Sequence, residues 1–334
     1  MCRRGSEMRV ARAALHFWEE PPISGSRGSG TVFFTGCTLG CVFCQNGQIS
    51  HGPVEGRKVT PQELSDLFFD LIAQGAHNIN LVTPTHFVPQ IRQALLVKKL
   101  PVPVVYNTSG YERVETLRSL EGLVDIYLPD YKYDDPALAK ALSRAEDYPQ
   151  RAQAALAEMV RQVGAPVYDG EGLMTRGVLI RHLILPGHTK NSIACLERIR
   201  QLFPGIPVSL MAQYTPVGSW IPSRSWGGPS PAGSRRRWKT PCSSWAWRGI
   251  PSPAKPKAPS TSQTGTWKNR GLHPGQFAPM AARFARAHRA TSARARRRPS
   301  EARLKVFAVR PQDVLAFFSK RRDLALTGRQ PKRS

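Results

Sequence analysis

Between residues 31 and 212 the chain alternates six short apolar or β-branched runs with amphipathic helical segments, and that alternation leaves few folds open. The predicted strands cover 31–35, 78–83, 103–106, 124–128, 177–185 and 207–212. Thr60-Pro-Gln-Glu63 is a capping box with proline at the first helical position. Leu64, Leu67, Phe68, Leu71 and Ile72 then form an apolar stripe that ends near Gly75. Further helices are expected at 89–98, over a short segment ending at Leu120, along an Ala-rich stretch broken at Tyr148-Pro149 and running to Gly164, and at 191–202. Strands joined by helices in this way lie parallel with right-handed crossovers. The expected class is α/β: a (β/α)6 partial TIM-type barrel over 28–217, preceded by an extension at 1–27 and followed by a basic, largely irregular tail over 218–334. Active residues then belong at the carboxyl ends of the strands.

Three cysteines follow the first predicted strand, in Gly36-Cys-Thr-Leu-Gly-Cys-Val-Phe-Cys-Gln-Asn46. Cys37, Cys41 and Cys44 supply three thiolates from one short loop, enough to hold three irons of a 4Fe–4S cluster and leave the fourth open. A structural zinc site would need a fourth ligand, for which His51 is the nearest candidate. A disulfide would leave one cysteine over, and an electron-transfer or inert cluster is a further alternative. The Cys-x3-Cys-x2-Cys spacing, with Phe43 before the last cysteine, resembles the signature of radical S-adenosylmethionine (radical SAM) enzymes.

The net charge of +25 would ordinarily indicate a polyanionic partner, but it is unevenly placed. Residues 1–217 hold 22 basic and 20 acidic side chains, whereas 218–334 hold 26 basic and 3 acidic. From Gly218 to Gly275 no apolar periodicity supports a helix or strand, yet tryptophan recurs at 220, 226, 238, 245, 247 and 267. Tryptophan has a single codon, so a shifted frame can be tested in part. Stepping back one base across 238–249 permits V-E-D-A-L-L-E-L-G-M-E-G, an acidic amphipathic helix ending in glycine. The tail from about 218 is therefore expected to be frameshifted. The rival is a genuine basic arm for RNA or DNA, with Arg235–Arg237 and Arg296–Arg298 as phosphate contacts. Local helices over 281–298 and 311–322 are expected in either case.

Polar residues cluster around the ends of the predicted strands: Val82-Thr-Pro-Thr-His86, Asn107-Thr-Ser109, Pro129-Asp-Tyr-Lys132 and Met211-Ala-Gln-Tyr214, while the fifth strand carries Arg181-His182 and ends at Leu185-Pro-Gly187. His86 and His182 read as structural histidines, and Cys195 as a buried helix residue among Ile193, Leu196 and Ile199. The chain resembles the radical SAM proteins related to pyruvate formate-lyase activating enzyme, in their homologue branch. Ser29-Gly-Thr-Val-Phe-Phe-Thr-Gly-Cys37, Cys41-Val-Phe-Cys-Gln-Asn46 and Asn78-Ile-Asn-Leu-Val-Thr-Pro-Thr-His86 carry the likeness. So do Tyr106-Asn-Thr-Ser-Gly-Tyr111, Asp125-Ile-Tyr-Leu-Pro-Asp-Tyr-Lys132, Arg181-His-Leu-Ile-Leu-Pro-Gly187 and Ser209-Leu-Met-Ala-Gln-Tyr214.

The resemblance implies a 4Fe–4S cluster on Cys37, Cys41 and Cys44 and SAM as cosubstrate, cleaved reductively to a 5′-deoxyadenosyl radical that abstracts a hydrogen atom. It implies catalytic roles for Asp130, Lys132 and Arg181, and cofactor contacts from Phe43, Asn46, Thr83, Thr85, Asn107, Ser109, Arg181 and Gln213. A Gly-Gly-Glu-like motif, common in the superfamily at the second strand, is replaced here by Val82-Thr-Pro-Thr. The partners implied are an electron donor such as flavodoxin or ferredoxin and, for an activase, a glycyl radical enzyme. A nucleic-acid partner is expected only if the basic tail is genuine. An RNA-modifying radical enzyme and a non-catalytic Fe–S or zinc module are the alternative functions. No segment is apolar and long enough to span a membrane, and the thiolate triplet suits a reduced cytoplasm.

Overall fold

The structure is a computed structural model that describes residues 5–212 and 214, with the backbone of strand β11 (Phe307–Val309); the described residues belong to one compact unit. Gln213 and the helices expected at 281–298 and 311–322 lie outside them. The chain opens with β1 (Arg9–His16) and the short helix α1 (Pro21–Ser24), and β2 (Ser29–Phe34) leads into the cysteine loop. After α2 (Gly47–Ser50) and β3 (Arg57–Lys58) comes α3 (Pro61–Ala73). Thr60 accepts from the Glu63 amide at 3.2 Å while the Glu63 carboxylate accepts from the Thr60 amide at 2.8 Å, so the capping box forms as expected.

The strand–helix alternation continues through β4 (Ile79–Val82), α4 (Val88–Val97), β5 (Val104–Thr108), α5 (Val114–Arg118) and β6 (Ile126–Pro129). Two helices follow β6: α6 (Pro136–Ser143), capped by the Asp135 side chain, and α7 (Tyr148–Val163). Pro149 explains the break between them, because proline is tolerated in a first turn and not in a helix interior. Then come β7 (Val167–Tyr168), β8 (Met174–Val178), β9 (Ile180–Leu183), α8 (Thr189–Leu202) and β10 (Val208–Met211).

Strands β2, β4, β5, β6 and β8 pair in parallel and in chain order, with β1 and β3 antiparallel at one end and β7 antiparallel at the other. A second sheet pairs β9 with β10 in parallel and β10 with β11 antiparallel. Asp130 and Arg181 bridge the two sheets, and the Tyr131 amide donates to the Arg181 carbonyl at 2.8 Å. Because each crossover steps the same way along the sheet, right-handed connections put the helices on one face.

Side chains alternate accordingly. Val32, Leu81, Tyr106, Tyr127, Val178 and Val208 join the helices in the main core. Val105, Ile126, Leu128 and Leu179, from the alternate positions, form a separate small cluster with Ile23 of α1 and Met174. The face without helices is thus partly filled by the N-terminal segment. Among the described residues no helix is long and apolar enough to cross a membrane.

Candidate functional site

The cysteine loop is tied down on both sides by backbone bonds. Val42 donates to the Leu142 carbonyl at the end of α6, and Gly36 to the Ile49 carbonyl of α2, both at 2.9 Å. Cys41 is buried, Cys37 and Cys44 are partly so, and none is in a disulfide. Ser143 donates to the Cys41 sulfur at 3.0 Å and the Leu39 amide to the Cys37 sulfur at 3.4 Å, contacts that stabilise thiolates held by metal. Burial and its neighbouring sulfurs push the Cys37 thiol up to about 12. Burial also raises Cys41, opposed by Lys132 and Ser143. A cationic centre beside Cys37 and Cys41 would favour their thiolate forms against this burial. A cubane places each thiolate on a different iron, so this donor set fits a 4Fe–4S cluster.

Asp130, Lys132 and Arg181, which the family resemblance placed at one site, lie together. One Asp130 oxygen accepts from Arg181 Nε at 3.0 Å, the other from Lys132 Nζ at 2.5 Å. Burial works against the Asp130 charge, but Arg181 and Lys132 outweigh it and hold the carboxyl below its usual range. Burial likewise opposes the Lys132 charge, which Asp130 and Cys41 restore, so Lys132 connects this pair electrostatically to the cluster loop. Arg181 also donates to Asn107 at 2.6 Å, which puts Asn107 in the same network. The side chains of Asp130, Lys132 and Arg181 remain 14–17% exposed, so solvent reaches them.

The third partner of Arg181 had not been expected. Glu19, which precedes α1, lies 3.4 Å from the guanidinium, and Asn107 donates to it at 3.5 Å. Burial raises the Glu19 and Glu20 carboxyls, with Arg181 opposing in both cases. An acidic pair directly before Pro21-Pro22 was the available signal, but it lay ahead of the predicted core.

The remaining candidates are dispersed. Phe43 is buried in the main core, and Asn46 stands at the start of α2 without a side-chain cap bond. Thr83 has φ +59, a left-handed conformation unfavourable for a β-branched residue, and its amide donates to the Asn107 carbonyl at 3.0 Å. Thr85 donates instead to Glu112 at 2.6 Å, as does Thr108. Burial lifts Glu112 to about 7 despite those hydroxyls and Tyr106. Ser109 accepts from the Tyr111 amide at 3.4 Å, while its carbonyl accepts from Tyr148 at 2.8 Å. His182 is fully buried, its Nδ1 donating to the Tyr131 carbonyl at 2.7 Å, and His86 Nε2 donates to the Thr35 carbonyl at 2.7 Å. Cys195 is buried in the main core.

The sequence profile of the Radical SAM superfamily matches residues 31–199, just over half of the chain, and the chain belongs to that superfamily. An uncharacterised protein of Methanocaldococcus jannaschii is 29% identical over 214 residues, covering 60% of this chain and 57% of that protein, so the chain spans little more than half of this relative. Two solved structures align in part. Methylornithine synthase is 17% identical with TM-score 0.37, covering 54% of this chain and 51% of the other. HydG, a maturase of the FeFe-hydrogenase, is 14% identical with TM-score 0.40, covering 61% and 47% respectively. Likenesses this partial bear on neither substrate nor partner.

Proposed function

We propose that the chain is a radical SAM enzyme of the branch related to pyruvate formate-lyase activating enzyme, with a cluster on Cys37, Cys41 and Cys44. The observation that supports this is the charge trio Lys132–Asp130–Arg181, whose Lys132 lies within electrostatic reach of Cys41 in the thiolate loop. Held by Cys37, Cys41 and Cys44, a cluster would supply one-electron reductive chemistry toward SAM and so hydrogen-atom abstraction from a substrate. The chain's own groups would bind and orient. Asp130 and Asn107 offer acceptors to the ribose or amine of SAM, and Ser109 and the Thr83 turn flank them. Ser143 and Lys132 hold the Cys41 thiolate. Asn46 and Phe43 flank the last cysteine.

The sheets would form a (β/α)6 partial barrel, with β8 and β9 together as its fifth strand. Supporting this, β6 bonds to both: the Leu179 amide donates to Tyr127, and the Tyr131 amide to Arg181. A glycyl radical enzyme is the proposed substrate, a flavodoxin or ferredoxin the electron donor, and the cytoplasm the location.

We further propose that the coding sequence from about codon 218 is frameshifted. The pairing of β11 with β10 does not weigh against this, because an open strand edge accepts any extended segment. An intact frame in the coding DNA across codon 218 would refute the shift. For the enzyme, full-length protein reconstituted anaerobically and reduced should form 5′-deoxyadenosine from SAM, and Cys41→Ala should form none. Iron-loaded protein that leaves SAM intact would overturn the assignment.

A further inference from the structure

The face without helices holds three carboxyls, Glu19, Glu20 and Asp130, against two cations, Arg181 and Lys132. Arg181 is shared between Asp130 at 3.0 Å and Glu19 at 3.4 Å, and Lys132 is taken by Asp130. Among the described residues Glu20 forms no ion pair; Arg181 acts on it only at longer range, Glu19 opposes its charge, and it is 4% exposed. Beside this pair are two further buried polar side chains, each 0% exposed: Asn80 near Glu19, and Ser209 near Glu20. Register places them on the same face. Asn80 pairs with Val105 of the small apolar cluster, and Ser209 pairs with Arg181.

Their neighbours are close enough to act electrostatically but fall short of hydrogen-bond geometry. Among the described residues, one Glu20 oxygen, both polar atoms of Asn80 and the Ser209 hydroxyl are buried without a hydrogen bond. Native interiors rarely leave four such atoms together. Three of the four, Glu20 Oε2, Asn80 Oδ1 and Ser209 Oγ, are acceptors; the fourth, Asn80 Nδ2, is a donor.

We infer that Glu20, Asn80 and Ser209, with Glu19 beside them, receive a primary ammonium group of the substrate. An ammonium carries three N–H donors and one positive charge, matching three unmet acceptors and one unmatched carboxylate. A neutral hydroxyl brings no charge, and a carboxylate would add to the excess. The side chains that solvent still reaches, Glu19, Arg181 and Asp130 at 10–16% exposure, would form the approach to this site. Burial raises the Glu20 carboxyl in the empty protein, and an arriving cation reverses that. The inference rests on the proposal that this face is the reaction chamber, and adds the substrate group that the chamber selects.

Full-length protein is titrated with n-butylammonium chloride, with n-butanol and sodium butyrate as controls at matched ionic strength. Calorimetry and the thermal unfolding midpoint are the readouts. Saturable binding of the ammonium alone is expected, weakened about tenfold or more in Glu20→Gln. Ser209→Ala removes an acceptor without changing charge and should weaken binding by a smaller factor; it decides the matter if Glu20→Gln does not melt cooperatively. Absent binding, equal binding of n-butanol, or equal affinity in wild type and variants overturns the inference. Added SAM should leave the ammonium affinity unchanged. Displacement by SAM would assign these acceptors to the ammonium of SAM itself, and the substrate assignment fails. No arm needs SAM cleavage, so a failed cleavage assay and failed amine binding are separate results.

Discussion

Asp130 is held on one oxygen by Arg181 and on the other by Lys132, at 3.0 and 2.5 Å. Removing that charge leaves two cations facing each other in a largely enclosed place. Asp130→Asn should therefore lower the unfolding free energy at neutral pH by about 3 kcal/mol, measured by urea denaturation. A loss under about 0.5 kcal/mol would show that the trio is too hydrated to matter. Glu112 gives a pH prediction of definite sign. Its folded value of about 7 lies above the model-compound 4.5, so its neutral form stabilises the fold fully below pH 4.5, and this contribution is lost as pH rises through 7. Glu112→Gln should flatten that slope, seen as a wild-type-minus-variant difference in stability that shrinks with rising pH. Parallel profiles would contradict it. The cysteine loop and Asp130-Tyr-Lys132 stood out in sequence because each follows a predicted strand, whereas Arg181 lies within one and was singled out by the family resemblance. Glu19 and Glu20 were not: they reach Arg181 across 162 residues of chain, a closure no local pattern encodes.

At the scale of elements, the parallel strands and the main helices were readable from period and caps, with boundaries off by a few residues. Strand β1 escaped because only Val10 of its eight residues is fully buried, leaving no clean alternation. The expected strand over 177–185 starts earlier and is interrupted at Leu179, just after Gly177 takes φ +119 and runs against the backbone of Ala165 and Pro166. Two turns give tests. Thr83 keeps φ +59 at the end of β4, so Thr83→Gly should relieve strain and raise stability by about 1 kcal/mol in thermal or urea melts. Unchanged or lower stability would mean that the threonine side chain offsets the strain. At Gly110, φ is +78 and an added Cβ would overlap the Asp130 carbonyl oxygen. Gly110→Ala should therefore cost more than 2 kcal/mol, about the upper range for ordinary single substitutions, and displace Asp130.

Over the whole molecule, the near-neutral first two thirds supply five parallel strands in chain order in one sheet, with β9 and the sixth expected strand, β10, in a second, and the strongly basic remainder contributes one short strand to the described structure. The N-terminal segment belongs to the same assembly: β1 extends the sheet and Ile23 enters the apolar cluster beside the charged network. Composition alone pointed toward nucleic acid, but charge counted along the chain separates that signal from the site. The central claim is that the three cysteines hold a cluster whose open iron meets SAM. Electron paramagnetic resonance of the reduced, reconstituted full chain, recorded with and without SAM, tests it most directly. The account predicts a cluster signal whose g values shift when SAM is added, and its loss in Cys37→Ala. A protein that binds no iron, or a spectrum indifferent to SAM, would contradict it.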